Sequence, residues 1–263
     1  MKPYIYLAKM RIMVNVTYRF DVIVGVICQV LIMLASVYLW NSAFAEQEVL
    51  EGLYLQQMVT YAVLAVVVST LFTTGVENQI SNGVYSGSIA TFFLRPVRMF
   101  GMFFSDDMGS LVASIFLRTL PALIVGILFF RMRAPESAAA LALALISVTF
   151  SFIIVWLISA IVGLFTFWAM NLGNLSYLKN VIISIFSGRL IPLWFFPQRA
   201  QDVFRFLPFQ YTYQAPIAIY IGQTGADEAV FVIFIQIIWV ALLFILMNLI
   251  WRRARKRVMV QGG

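Results

Sequence analysis

Residues 137–178 read SAAALALALISVTFSFIIVWLISAIVGLFTFWAMNLGNLSYL, which is 42 residues without one charged side chain. As a single helix rising 1.5 Å per residue, this stretch would be about 63 Å long. The hydrocarbon core of a bilayer is about 30 Å thick, so the stretch is too long for one crossing. The NLGN sequence at 171–174 interrupts it, because Gly and Asn favour turns. We therefore predict two membrane spans here, at 138–166 and at about 175–194.

The composition of the whole chain agrees with a membrane protein. The 263 residues are 62% hydrophobic and 11% charged, whereas soluble domains are about 45–50% apolar and about 25% charged. This excludes a soluble globular enzyme and a free nucleic-acid-binding protein. The chain has no histidine and a single cysteine, Cys28. His-based triads, His metal sites and a disulfide within the chain are therefore excluded.

Four further apolar stretches predict spans at about 22–40, 56–76, 108–130 and 229–251. Basic residues concentrate at the two ends of the chain: Lys2, Lys9, Arg11 and Arg19 at the start, and Arg252, Arg253, Arg255, Lys256 and Arg257 at the end. By the positive-inside rule both termini are cytoplasmic, which requires an even number of crossings. We predict an all-α, multi-pass protein of the cytoplasmic (inner) membrane, with six transmembrane helices in one domain over residues 1–263.

Both charged ends of the chain have a predicted role at the membrane surface. Residues 1–20 mix basic and apolar side chains, which favours an amphipathic helix lying along the inner surface. The basic tail at 252–257 is most simply an anchor on anionic lipid. Membrane lipids are thus expected partners, and nucleic acid is not.

The segment Glu77–Arg98 between spans two and three is too polar for lipid and too apolar for a free linker. We predict a short interfacial helix on the cytoplasmic side. Two interpretations follow from the residues alone. The helix docks into a cytoplasmic partner, or it rests on the lipid headgroups as many amphipathic helices do.

The stretch from Gly188 to Gly222 is apolar but contains Pro192, Pro197, Pro208 and Pro216. A straight spanning helix does not fit so many prolines, whereas short re-entrant pieces buried by protein do. One interpretation is a re-entrant hairpin that closes the outer end of a pathway. The alternative is an aromatic-rich outer loop that anchors the helices.

A third group of candidates lies inside span three. Arg118 is near its middle, where a charge is costly and usually faces protein or water. Asp106 and Asp107 lie at the cytoplasmic end, about three turns away, too far to pair with Arg118 along one straight helix. Arg118 is either a polar contact in a conduit or at a helix interface, or a structural residue that snorkels or pairs with another helix.

Motifs of catalysis are missing from the sequence. It contains no G-x-x-x-x-G-K-[ST] loop for ATP and no G-x-S-x-G nucleophile motif. Catalysis by this chain is therefore not expected. If the protein moves a substrate uphill with ATP, another chain supplies the ATPase.

Two stretches resemble the permease subunits of type-2 ABC exporters, in the branch encoded beside a separate ATPase. Residues 81–97 read SNGVYSGSIATFFLRPV, and residues 186–197 read FSGRLIPLWFFP. The second is followed by LPFQ at 207–210 and IYIG at 219–222, as in the family. The six-span layout is similar too, so the resemblance covers essentially the whole chain.

The resemblance implies a role for each segment. Residues 77–95 would be a coupling helix seated in a cleft of the ATPase, with contacts from Asn82, Gly83, Val84, Tyr85, Gly87, Leu94 and Arg95. Residues 188–222 would be re-entrant helices at the outer mouth, with a gate formed by Gly188, Pro192, Phe195, Phe196, Pro197 and Pro208. Residues 1–19 would be an elbow helix.

The resemblance also implies partners and an activity. Two permease chains would enclose a pathway and bind two cytoplasmic ATPase subunits, which hold ATP and Mg. A second, different permease often accompanies the first in this branch, so a heterodimer is favoured. The expected activity is export of a hydrophobic or amphipathic substrate, such as a drug, a lipid-like molecule or a peptide. One alternative is a secondary transporter or channel that uses Asp106, Asp107 and Arg118 as an intramembrane charge set. Another is a structural membrane subunit with no transport of its own.

Overall fold

A computed structural model describes residues 2–17, 19–50, 52–93, 97–169 and 173–258. In this part of the chain the fold is all-α apart from one two-stranded ribbon, Val49–Leu50 with Leu53–Tyr54, which turns at Gly52. The helices are α1 (Lys2–Thr17), α2 (Arg19–Ala43), α3 (Leu55–Leu71), α4 (Val76–Tyr85), α5 (Ile89–Phe93), α6 (Met99–Ser114), α7 (Leu120–Phe130), α8 (Ala138–Leu164), α9 (Gly173–Phe186), α10 (Gln198–Arg205), α11 (Gln214–Tyr220) and α12 (Ala226–Val258).

Five helical stretches in the described part of the chain are long and apolar enough to cross a membrane. They are Phe20–Ala43, Leu55–Tyr85, Met99–Phe130, Ala138–Phe167 and Ala226–Arg257. Each contains one of the predicted spans or most of it. The chain is therefore a multi-pass membrane protein, as the composition predicted.

The predicted span at 175–194 differs from the structure in length. Helix α9 has 14 residues and ends at Phe186, about 21 Å at 1.5 Å per residue. It ends there because Gly188 adopts a φ of +80° and the chain turns. Pro192 then begins a short 3₁₀ turn at Leu193–Phe195. The last eight residues of the predicted span thus lie outside the helix.

The third span starts earlier than predicted and is not a regular α-helix. It begins at Met99 rather than near residue 108, and α6 and α7 are joined by a π-helical turn at Ile115–Thr119. Thr119 lies within hydrogen-bond distance of Thr70 in α3, with their hydroxyl oxygens 2.6 Å apart. Such π-turns shift the helix register by one residue and often occur at functional sites. Arg118 lies in this turn.

Helix α8 forms the centre of the bundle, packed against α4, α11 and α12. The C-terminal half of α8 is buried, and Ile154, Leu157 and Leu164 contribute to the main core. Helix α1 packs on α6 at close range. A Cβ atom added at Gly109 would collide with the backbone of Ala8, including its Cα at 2.9 Å. The absence of a side chain at Gly109 is therefore what lets the two helices touch.

Candidate functional site

The junction between α3 and α4 is held by a carboxylate from another helix. The backbone amides of Gly75 and Val76 donate to the two oxygens of Asp107 in α6, at 2.6 and 3.1 Å. The first amides of a helix lack partners within the helix and carry a partial positive charge. Asp107 supplies the missing acceptors, and its charge matches the helix dipole. It thereby fixes where α4 begins.

Asp107 is itself held in place from α8. The indole Nε1 of Trp156 donates to the Asp107 Oδ2 at 2.8 Å, and Asp107 is buried. The neighbouring Asp106 accepts from Gln79 Nε2 at 2.7 Å and lies 3.6 Å from Arg11 Nε. The two aspartates therefore connect α6 to α4, with α8 and α1 as further supports.

A second polar contact joins α4 to α9. Glu77 and Lys179 form an ion pair, and both side chains are largely buried. Lys179 Nζ also donates to Ser159 Oγ in α8 at 3.1 Å, and the Thr74 hydroxyl donates to the same oxygen at 3.1 Å. We call Thr74, Gly75, Glu77, Asp107, Trp156, Ser159 and Lys179 the junction cluster. It unites α4, α6, α8 and α9 at one end of the bundle.

Helix α4 presents two different faces. Its buried face lies on α8, where a Cβ atom at Gly163 would come within 3.1 Å of the Glu77 Cα. Val76, Ile80 and Gly83 belong to this buried face. The remaining side chains from Asn78 to Ser88 are mostly exposed, and Tyr85 at the tip is 52% exposed. The helix is thus anchored on one side and exposed on the other.

The predicted coupling residues divide between these two faces. Asn82, Tyr85 and Gly87 are exposed, Val84 is half-buried, and Gly83 is buried against Ile89 of α5. Gly87 has a φ of +68° and makes the turn between α4 and α5. The predicted contacts Leu94 and Arg95 lie outside the described residues.

The proline-rich segment, residues 188–222, packs along α3, both near its start at Tyr61 and just after its end, where Phe72 meets Tyr213 with ring centroids 4.9 Å apart. The hydroxyl of Tyr61 donates to the Gly188 carbonyl at 2.7 Å and lies 3.1 Å from Gln214 Oε1. The same Gln214 oxygen accepts from the Leu193 amide at 2.9 Å, and the Gln214 amide donates to the Ser187 carbonyl. A side chain at Gly188 would collide with both Gln214 and Tyr61.

The other predicted gate residues shape this segment rather than meeting at one point. Pro192 and Pro197 precede the 3₁₀ turn and α10. Phe195 packs on Trp40 with ring centroids 5.1 Å apart, and Phe196 packs on Phe204 at 5.4 Å. Pro208 is buried in the turn before α11.

A buried tyrosine completes the segment. Tyr213 is only 3% exposed. The Arg189 guanidinium carbon lies 5.7 Å from the centre of the Tyr213 ring. The arginine therefore stacks on the face of a buried aromatic ring.

The charge set proposed within span three is not assembled in the structure. Asp106 and Asp107 are engaged with α1, α4 and α8, as described above. Arg118 instead lies beside α2, where its Nε would be 3.8 Å from a Cβ atom at Gly25. Among the described residues, Arg118 has no ion pair with either aspartate. In the described part of the chain, no group of three or more Asp, Glu or Cys side chains is placed to hold a metal ion.

Several residues of the two sites were not singled out from the sequence. Lys179 and Arg189 are the two charged residues within the predicted span at 175–194, and intramembrane charges are a usable signal. Glu77 begins a polar segment in the sequence, and nothing there indicates that it pairs with Lys179, 102 residues away. Tyr61 and Gln214 carried no signal, because single polar residues in apolar stretches are common.

Comparison with known proteins identifies the family. Residues 30–262 match the family described as ABC-2 family transporter protein. No curated protein and no solved structure matches the chain. The match covers most of the chain, including α4, α9 and the proline-rich segment, and it agrees with the resemblance of the motifs at 81–97 and 186–197. The chain belongs to the ABC-2 family of membrane transporters.

Proposed function

We propose that the chain is the permease subunit of an ATP-driven exporter in the cytoplasmic membrane, with both termini cytoplasmic. Its substrate would be hydrophobic or amphipathic. The observation that carries this proposal is the construction of α4. One face of the helix is fixed to the bundle by the junction cluster, and the tip from Asn82 to Ser88 is mostly exposed. A cytoplasmic ATPase, which holds ATP and Mg, would bind that tip.

Fixing α4 at its first turn makes it suited to transmit force. A displaced tip cannot leave the bundle without breaking the contacts of Asp107 and Glu77. Buried, fully paired polar groups are costly to separate, so the bundle moves with the helix. Nucleotide-driven motion of the ATPase would in this way shift the spans between inward-open and outward-open states.

Helix α9 gives this motion a route across the membrane. Lys179 near its middle contacts Glu77 of α4, and Ser187 just after its end accepts from the Gln214 amide of the proline-rich segment. The two contacts are eight residues apart, about 12 Å along a helix. A shift of α4 would therefore reach the outer segment through one rigid helix.

We further propose that α9 and the proline-rich segment together form the sixth crossing. At about 21 Å, α9 alone is shorter than the hydrocarbon core of about 30 Å. Irregular backbone at membrane depth requires internal hydrogen-bond partners. Gln201 Nε2 donates to the carbonyls of Trp194 and Phe196, and Gln214 accepts from Leu193. Side chains of the segment thus provide hydrogen-bond partners for its own backbone groups.

Two permease chains would enclose the pathway and bind two ATPase subunits. A heterodimer remains our preferred arrangement by family resemblance. In the alternative, a secondary transporter would use Asp106, Asp107 and Arg118. The structure gives that alternative little support, because both aspartates already hold α4.

The test is co-purification of the ATPase with variants of the exposed tip. We expect the Asn82→Arg/Tyr85→Ala double variant to fold normally and to lose the ATPase from purified native membranes. The matched control is Tyr54→Ala, which removes an exposed tyrosine next to α3 at the other end of the bundle. Retention of the ATPase by the tip variant, or equal loss from the control, would contradict the proposal.

A further inference from the structure

A groove of about 710 Å³ lies between α6, α8 and α12, at the same end of the bundle as the junction cluster. Its walls are mainly aromatic and aliphatic. Phe100 and Trp251 meet edge to face with ring centroids 5.4 Å apart, and Phe104 meets Trp156 at 5.1 Å. Small-molecule sites in proteins have volumes of about 300–1,000 Å³. The groove is therefore large enough for part of an amphipathic molecule.

The groove runs along the helices rather than into the bundle. On α12 its lining extends from Val240 to Arg255, which is about 22 Å of helix. Half of a bilayer, headgroups included, is about 20–22 Å thick. Phe244 at the edge is 54% exposed. The groove thus has the length and the lateral opening to hold an acyl chain lying parallel to the helices.

Two arginines line the headgroup end of the groove. Arg98 precedes α6, Arg255 lies in the last turns of α12, and both are exposed. Neither side chain has an ion pair within the described residues. The guanidinium group presents several donors in a planar fork that suits phosphate oxygens. An apolar channel ending in two unpaired guanidiniums matches an apolar chain that ends in a phosphate.

We propose that this groove binds one anionic phospholipid of the leaflet that contains the end of α12. An acyl chain would lie between Phe104 and Val240, and the phosphate would contact Arg98 and Arg255. The site is independent of the ATPase-coupling proposal, because it rests only on membrane insertion. Lipid bound there would contact α6 and α8, which hold α4 through Asp107 and Trp156.

The charge of the groove decides between possible occupants. A second permease chain seated there would bury Arg98 and Arg255 against apolar helices, which is costly without paired carboxylates. A zwitterionic lipid would satisfy the apolar walls but carries no net charge for the two arginines. An anionic lipid offers an acyl chain to the apolar walls and a net negative charge to the two arginines.

The experiment uses the full chain purified in detergent, with dioleoylphosphatidylglycerol and dioleoylphosphatidylcholine as the two probes. Lipid adducts are counted by native mass spectrometry, and the melting temperature is followed as lipid is added. We expect phosphatidylglycerol to bind more tightly and to raise the melting temperature more. In Arg98→Gln/Arg255→Gln its affinity should fall about 30-fold, equivalent to about 2 kcal/mol, since each basic residue contributes about 1 kcal/mol.

Two further variants separate the groove from general surface charge. Arg252→Gln/Arg253→Gln removes the same charge from the same end of α12 but outside the groove, and it should keep the wild-type affinity. Val240→Trp fills the apolar end and should weaken binding with both arginines present. The proposal would be overturned if the two lipids bound equally, or if Arg252→Gln/Arg253→Gln lost as much affinity as Arg98→Gln/Arg255→Gln. It would also be overturned if Val240→Trp lost a dimer while its lipid binding stayed unchanged.

Discussion

Lys179 of α9 and Glu77 of α4 form a buried ion pair, although 102 residues separate them in the chain. Their side chains are only 12% and 7% exposed. The pair connects the segment that we propose to bind the ATPase with the helix that leads into the proline-rich segment. Ser159 completes the arrangement, because it accepts from both Lys179 and Thr74.

Replacing Lys179 by Met should destabilise the folded protein by about 3–5 kcal/mol, because Glu77 would be left charged and unpaired in a buried position. The second variant, Glu77→Gln/Lys179→Met, removes both charges and should recover much of that loss. Melting temperatures in detergent would rank the three proteins. Where the double variant still inserts and binds the ATPase, transport should be reduced, since α4 and α9 would no longer move together.

The control for this experiment is a surface ion pair in the same protein. Arg205 and Asp202 lie 3.7 Å apart with side chains 62% and 54% exposed. Arg205→Met should cost less than about 1 kcal/mol, as expected for exposed pairs. If Lys179→Met were as harmless as Arg205→Met, the buried pair would not hold α4 in place.

The contrast between Lys179 and the apolar spans shows what the sequence could predict. Runs such as Ala138–Phe167 were recognisable because the bilayer requires about 20 apolar residues per helix. The partner of Lys179 was not recognisable, because a pair separated by 102 residues forms only when α4 and α9 both pack against α8. The end of α9 was also missed, since hydropathy stays high beyond Phe186 while Gly188 turns the backbone.

Asp107→Asn should loosen the start of α4. One Asp107 oxygen accepts from the Gly75 amide, and the other accepts from the Val76 amide and from Trp156. An Asn side chain has one acceptor oxygen and a donor NH₂ group, so at least one buried donor loses its partner in either orientation. Each such loss costs about 1–3 kcal/mol. The decrease would be measured as a lower melting temperature.

Asp106→Asn is the matched control for this change. Asp106 is more exposed than Asp107. It accepts from Gln79 Nε2 and lies near Arg11 Nε, and in the described part of the chain no backbone amide donates to it. It should therefore tolerate the amide with a loss below about 1 kcal/mol. A larger effect at Asp106 than at Asp107 would show that the capping of α4 is not what stabilises this end of the bundle.

Gly188→Ala should be far more damaging than Gly87→Ala, although both glycines have a left-handed φ of about the same size, +80° and +68°. Each substitution places Ala in a conformation that costs about 1–2 kcal/mol. At Gly87 nothing lies within 4 Å of the added Cβ, whereas at Gly188 it would collide with Gln214 and come within 2.8 Å of the Tyr61 hydroxyl.

The difference in stability between the two alanine variants therefore measures the effect of steric crowding at Gly188 apart from the backbone strain that both share. We expect Gly188→Ala to lower the melting temperature by several degrees more than Gly87→Ala. Equal stability of the two variants would mean that the segment after α9 does not pack on Tyr61.

Labelling of single cysteines tests whether α9 and the proline-rich segment cross the membrane. Because Cys28 is the only cysteine in the sequence, Cys28→Ser gives a background without thiols. Asn174→Cys at the start of α9 and Gln198→Cys at the start of α10 are both exposed positions. Glu48→Cys serves as the reference for the outer side, and Ser88→Cys serves as the reference for the cytoplasmic side.

A membrane-impermeant maleimide should label Glu48→Cys and Gln198→Cys in intact cells. Asn174→Cys and Ser88→Cys should react only after permeabilisation, because a sixth crossing places positions 174 and 198 on opposite sides of the membrane. The even number of crossings would then keep both basic termini on the cytoplasmic side, in accord with the positive-inside rule. If Asn174→Cys and Gln198→Cys reacted alike, five crossings would remain, and the two basic ends of the chain would lie on opposite sides of the membrane.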